Sequence, residues 1–227
     1  CGFMLYPIVN TFALGFQESS LMKPGADTFI GVDNFIALAG DEIFWKALWN
    51  SFFWTVANVL LQFFFGLLLA LILNRSFHGR GICRALAFTP WAVGGMLVAI
   101  MWSFMFNESI GVINDLLSKV GILDSKFSWF SNKYVAMMAL VIANTWRGIP
   151  FFAVSILSSL QTISGDLYES ADVDGAGEIR KFFKLTVNFL SPTTFFLIIT
   201  TFITSFQVFA PIQIMTRGGP GSFTNVL

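Results

Sequence analysis

Within long uncharged stretches of this sequence stands a single charge, Arg147, with Asn144 one turn earlier on the same helical face. A guanidinium in apolar surroundings must meet water, an acid or a ligand, so an intramembrane arginine is a site candidate by default. Two further polar groups occupy similar stretches. Thr201 and Ser205 are one helical step of four apart with Gln207 beside them, and Trp91 is followed by Gly94 and Gly95. An indole can stack on the C–H face of a sugar, and hydroxyls and amides can hold its oxygens. This is the chemistry of holding a polar solute. An anionic solute suits Arg147, and so does a hydrogen-bonded neutral sugar. Helix–helix hydrogen bonding for the hydroxyls and close packing for the glycines are the plainer alternatives. No catalytic set accompanies these residues: the one histidine, His78, lies in a basic loop, and neither H-E-x-x-H nor G-x-S-x-G occurs. No G-x-x-x-x-G-K-[ST] occurs either, so nucleotide is not held here in that way.

The elements that must position these side chains are apolar helices. Of 227 residues 56% are hydrophobic and 11% charged, with mean hydropathy +0.73, far from the composition of a soluble domain. The 13 basic and 13 acidic residues cancel, which argues against a nucleic-acid partner. Leu48 to Leu73 and Ala85 to Phe106 are uncharged runs exceeding the roughly 20 residues that cross a bilayer. Tyr134 to Leu160, interrupted by Arg147, and Phe189 to Ile214 supply two more spans. Cys1 to Phe16 reads as the remainder of a fifth, since it lacks the basic start and cleavage site of a signal peptide. Another helix is expected to begin at Asn225-Val226-Leu227, so the expectation is an all-α, polytopic transmembrane bundle with five spans visible and a sixth missing, forming a single domain over 1–227 truncated at both ends. Cys1 and Cys83 are too far apart in sequence and context to suggest a disulfide framework or a metal cage, and read as inert thiols.

Arg75, Arg80 and Arg84 with no acid mark the loop Asn74 to Arg84 as cytoplasmic, and alternation places residues 159–188 on the same side. The loops around Lys23, Lys126 and Arg217 then face outward, with a surface helix over Gly111 to Gly121. Asn50, Asn58 and Gln62 recur at near-helical spacing and read as a packing seam. Within 159–188, Asp166 can cap a short helix and Gly175 can end it, while Arg180, Lys181 and Lys184 suit a second helix entering the interface. A flat helix with a small exposed Ala171 and a neighbouring carboxylate can dock in a groove of a cytoplasmic protein.

Glu169-Ser170-Ala171, Asp174-Gly175-Ala176, Phe182 and Leu185 resemble the coupling loop of importer permeases of the ATP-binding-cassette class, with Asn188 where that family usually has proline and Pro192 a turn later. Gly31-Val32-Asp33-Asn34-Phe35, Thr89-Pro90-Trp91, Trp146-Arg147-Gly148-Ile149-Pro150 and Met215-Thr216-Arg217-Gly218-Gly219-Pro220 resemble the carbohydrate-uptake branch of these permeases, the maltose and glycerol-phosphate type. The resemblance implies an inner-membrane subunit that forms half of the pathway for a sugar or sugar-like solute. It implies a second homologous permease, two cytoplasmic ATPases carrying the ATP and Mg, and an extracytoplasmic solute-binding protein, with no cofactor on this chain. By the same resemblance Glu169, Ser170, Ala171, Asp174, Gly175 and Ala176 couple to the ATPase, and Trp91, Gly95, Asn144, Arg147, Gly148, Thr201, Ser205 and Val208 line the solute pathway. The alternative is an ion-coupled secondary transporter or channel, which would call for acidic residues within the spans; none of the acidic residues falls there.

Overall fold

The computed structural model describes residues 2–18, 28–220 and 224. The expectations for Cys1, for Lys23 and for a helix starting at 225–227 lie outside the described residues. Among those described, α1 (Gly2–Leu14) leads to a two-residue antiparallel pairing of β1 (Gln17–Glu18) with β2 (Thr28–Phe29), in which Gln17 faces Phe29. Then come α2 (Asp33–Ala39), α3 (Glu42–Asn74), α4 (Arg80–Ala92), α5 (Gly95–Met105), α6 (Val112–Lys119) and α7 (Lys133–Leu160). The chain closes with α8 (Gly165–Val173), α9 (Glu178–Lys181), a π-helical turn (Phe182–Thr186), α10 (Val187–Ser205) and α11 (Ala210–Met215). This is the all-α bundle expected.

Among the described residues, three helical stretches are long and apolar enough to cross a membrane: Glu42–Asn74, Lys133–Leu160 and Glu178–Ser205. The third spanning segment departs from expectation. Instead of one helix over Ala85 to Phe106, α4 and α5 meet at a bend of 94°. The break falls at Val93 and Gly94, where two successive glycines give the helix least support. The last span is also shifted, beginning at Glu178 and stopping at Ser205 instead of running to Ile214. Pro211 has no N–H to continue a helix from Gln207, and it sits in the first turn of the separate α11.

The frame is the pairing of α3 with α7. Asn144 Nδ2 donates to Asn58 Oδ1 at 2.7 Å, Gln62 lies against Gly148, and Gly66 against Phe152. Both helices advance four residues per contact, so they run parallel in one register. The glycines set this approach, because a Cβ at Gly148 would overlap the Gln62 amide and one at Gly66 the Phe152 side chain. Packing is apolar on either side of the amides. One core joins Trp54, Val98, Trp102, Phe106, Leu140 and Met215, and another joins Leu73, Phe152, Ile156, Leu160, Leu190 and Leu197. Between them lies a polar layer of Asn58, Gln62, Asn144 and Arg147, halfway along a 28-residue helix of about 42 Å.

Both chain segments assigned to the inner side meet at one end of this frame. Arg80 Nε donates to the Leu73 carbonyl at 2.7 Å, and the Gln161 amide is satisfied when its oxygen faces Arg80 and Arg84, at 3.3 and 2.9 Å. At the other end Asn114 of α6 donates to the carbonyls of Glu108 and Phe127 and accepts from Trp129 Nε1 at 2.8 Å, tying the loop that follows to α6. The outward flanks stay apolar: Leu60, Phe64 and Leu68 of α3 and Phe195, Phe196 and Ile203 of α10 are exposed, as suits lipid or another apolar protein surface.

Candidate functional site

The break between α4 and α5 opens space beside the polar layer. One cavity of about 260 Å³ is lined by Gln62, Trp91, Asn144, Arg147, Gly148 and Phe151, by Thr200, Thr201, Thr204 and Ser205 of α10, and by Val208. An adjoining cavity of about 250 Å³ shares Asn144, Arg147, Thr204 and Val208 and adds Gly95 and Gln207, with apolar walls that include Phe209 and Met215. Trp91, Gly95, Asn144, Arg147, Gly148, Thr201, Ser205 and Val208, taken from three separated spans, are thus brought together around two neighbouring cavities that share four lining residues.

Their local roles differ from what spacing alone suggests. Gly95 does not admit another backbone; it faces the guanidinium of Arg147, whose central carbon lies 3.8 Å from where a Cβ would stand. Arg147 Nε donates to the Val93 carbonyl at 3.4 Å, an acceptor that the helix break has released. Trp91 is 56% exposed and stacks on Phe151 at 6.4 Å, leaving indole surface open to the cavity. Thr201 and Ser205 are buried, and their hydroxyls make no hydrogen bond with any described residue. Asn58 and Gln62 do form the expected seam, since Gln62 Nε2 donates to Asn58 Oδ1 at 3.2 Å and to the Asn144 carbonyl at 3.4 Å. Gln62 also reaches the cavity, as do Thr200, Thr204 and Phe151, which sequence reasoning passed over. The α10 threonines share the face of Thr201 and Ser205, and that helical spacing was the available signal.

At the end of the frame assigned to the inner side, α8 is capped by Ser164, whose Oγ accepts from the Asp166 amide at 3.3 Å, and not by Asp166 itself. Its other end is a Schellman turn. The Gly175 amide donates to the Asp172 carbonyl at 3.0 Å and the Ala176 amide to the Ala171 carbonyl at 2.9 Å. Gly175 adopts φ +73°, the left-handed conformation that glycine accepts without strain. Because the chain folds back there, Ala171 and Ala176 are half-buried, which corrects the expectation of an exposed Ala171, whereas Glu169, Ser170, Asp174 and Gly175 are exposed. Two contacts join α8 to the base of the last span. The Tyr168 hydroxyl meets Thr186 Oγ1 at 2.9 Å, and Lys181 Nζ bridges Asp172 at 2.7 Å and Glu178 at 2.5 Å. The π-helical turn carries Thr186 in this joint, a widening of the kind found at functional positions.

Residues 62–225 match the family of the binding-protein-dependent transport system inner membrane component, and the chain belongs to it. It is 36% identical over 99% of its length to the sulfoquinovosyl glycerol transport system permease protein SmoG of Agrobacterium fabrum, covering 72% of that protein. It is 34% identical over 98% of its length to the trehalose/maltose transport system permease protein MalF of Thermococcus litoralis, covering 74% of it. A crystal structure of a bacterial alginate ABC transporter, in complex with an alginate pentasaccharide-bound periplasmic protein, shares the fold. The TM-score is 0.81 at 22% identity, over 98% of this chain and 73% of that one. The protein is a multi-pass inner-membrane permease subunit of the ATP-binding-cassette import class.

Proposed function

We propose that the neighbouring cavities are the waist of a translocation pathway for a sugar or sugar-like solute, and that this chain supplies half of it beside a second, homologous permease. The observation that carries the reading is the convergence of an indole face, free hydroxyls, two amides and a guanidinium from α3, α4, α7 and α10 at mid-depth between two apolar cores. Such a surface offers a pyranose both stacking and hydrogen bonds. The names of the relatives support a carbohydrate, since two are permeases for sulfoquinovosyl glycerol and for trehalose or maltose.

The energy source in this reading is a pair of cytoplasmic ATPases that hold the ATP and Mg, with no cofactor and no catalysis on this chain. Residues 159–188 form the coupling loop. Glu169, Ser170, Asp174 and Gly175 present the exposed side of α8 to the ATPase, and Ala171 and Ala176 set its Schellman turn. Closure of the ATPases moves α8, and the Tyr168–Thr186 and Asp172–Lys181 contacts pass the movement to α10, whose threonines line the cavity. An extracytoplasmic solute-binding protein delivers the solute to the outer loops. An ion-coupled carrier would need a carboxylate at the site, and no acidic residue among those described lines either cavity.

Proteoliposomes containing the assembled complex, with receptor outside, should accumulate the sugar that co-purifies with that receptor only when ATP is enclosed. Accumulation driven by a proton or sodium gradient without ATP would replace this reading with the ion-coupled one.

A further inference from the structure

Arg147 lines both cavities, and among the described residues it is the one charged side chain in either lining. Its single hydrogen bond among the described residues runs from Nε to the Val93 carbonyl at 3.4 Å, so its terminal amino groups have no partner there. No aspartate or glutamate stands within ion-pairing distance of it among these residues. The first turn of α5 begins at Gly95, against the guanidinium, and its unpaired backbone amides add partial positive charge of the same sign. The neighbouring Thr201 and Ser205 are 8% and 4% exposed, their hydroxyls without partners among the described residues.

A half-buried guanidinium whose terminal amino groups are unused by the described residues offers a ready partner to a negative charge that joins it for part of the cycle. The geometry points to a solute that brings that charge. We infer that the pathway takes an anionic sugar derivative, a pyranose bearing one carboxylate or sulfonate, with the acid group on the Nη edge of Arg147 and the ring on the open face of Trp91. The inference rests on the pathway reading above and narrows its substrate class. A planar guanidinium donates two parallel bonds to the oxygens of a carboxylate or sulfonate, which a neutral hydroxyl cannot match. The competing arrangement is an acid of the partner permease that neutralises Arg147 in the assembled pore.

The test uses the complete importer in nanodiscs without receptor, titrated calorimetrically with sodium D-glucuronate and with D-glucose, which share a ring and differ at C6. Glucuronate should bind at least about tenfold more tightly, the worth of a charge-assisted hydrogen bond. Arg147→Gln should bring that ratio close to one; Arg147→Lys, which keeps the charge but not the two parallel bonds, should keep only part of the preference. A ratio near one in the unaltered importer, no binding of glucuronate, or a preference that survives Arg147→Gln overturns the proposal. Thr204→Phe, a bulky ring placed in the space both cavities share, separates this failure from that of the pathway itself. If Thr204→Phe leaves receptor-dependent uptake intact, the pathway reading falls. If it blocks uptake but Arg147→Gln leaves the ratio unchanged, only the anionic class falls.

Discussion

Gly175→Val and Glu169→Lys should each reduce ATP-driven uptake to background while solute binding by the isolated receptor is unchanged. Gly175 sits at φ +73° with open space where a Cβ would project, so the substitution meets backbone strain and no collision. The left-handed conformation costs a non-glycine residue about 1–2 kcal/mol, and a β-branched one more. That is enough to melt a nine-residue helix held at this end by two backbone hydrogen bonds. Asparagine tolerates the same conformation, so Gly175→Asn should keep most of the uptake, which separates loss of the turn from loss of a glycine. Glu169 is exposed and makes no ion pair with a described residue, leaving its charge available to an external surface. Reversing it should weaken co-purification of the ATPase, and the effect should lessen as salt rises. Coupled uptake at normal rate in both Gly175→Val and Glu169→Lys would remove α8 from the coupling role.

The joint between α8 and α10 gives the second large effect, of a different kind. In the double variant Tyr168→Phe with Lys181→Gln, the hydroxyl bond to Thr186 and the bridges to Asp172 and Glu178 are gone, but the Ser164 cap and the Schellman turn remain. Helix α8 should still form and still engage the ATPase. Its displacement should no longer reach the threonines of α10, which lie some 20 Å further along the helix. ATP turnover with little transport is the expected result. The ATP hydrolysed per solute moved should rise by about tenfold, within the usual range of a coupling free energy between distant sites. A variant that loses hydrolysis and uptake in equal proportion would show that these contacts only hold the fold.

Much of the architecture could be read because a bilayer imposes length and apolarity on whatever crosses it, and the uncharged runs met both conditions. The bends could not be read in the same way. Gly94 and Gly95 in an apolar run are compatible with an unbroken transmembrane helix, and only packing against Arg147 shows that the released Val93 carbonyl finds a donor. The shift of the last span follows from Pro211 at the start of α11, while the basic trio thought to precede the span lies at its base, with Lys181 buried in the joint. At the site, Asn144, Arg147, Thr201 and Ser205 stood out as polar groups in apolar runs, and they do meet. Gln62 was harder. Its spacing from Asn58 is what a seam shows, and its second contact, with the cavity, depends on the parallel register of α3 and α7, which single-sequence periodicity does not contain. Ala171 reads as a surface residue on a flat helix, yet the Schellman turn folds Ala176 back over it.

That the cavities form an alternating pathway is most directly tested by the reactivity of a single cysteine at Thr204, an exposed position that lines both spaces. With Cys1 and Cys83 replaced by serine, the complete importer in proteoliposomes would be treated from either side with a membrane-impermeant thiol reagent, at rest and with the ATPases trapped by vanadate. The cysteine should react from one side only at rest and from the opposite side only when trapped, with the transported solute slowing both reactions. Reaction that is absent in both states, or that comes from the same side in both, would contradict the pathway assigned to this chain.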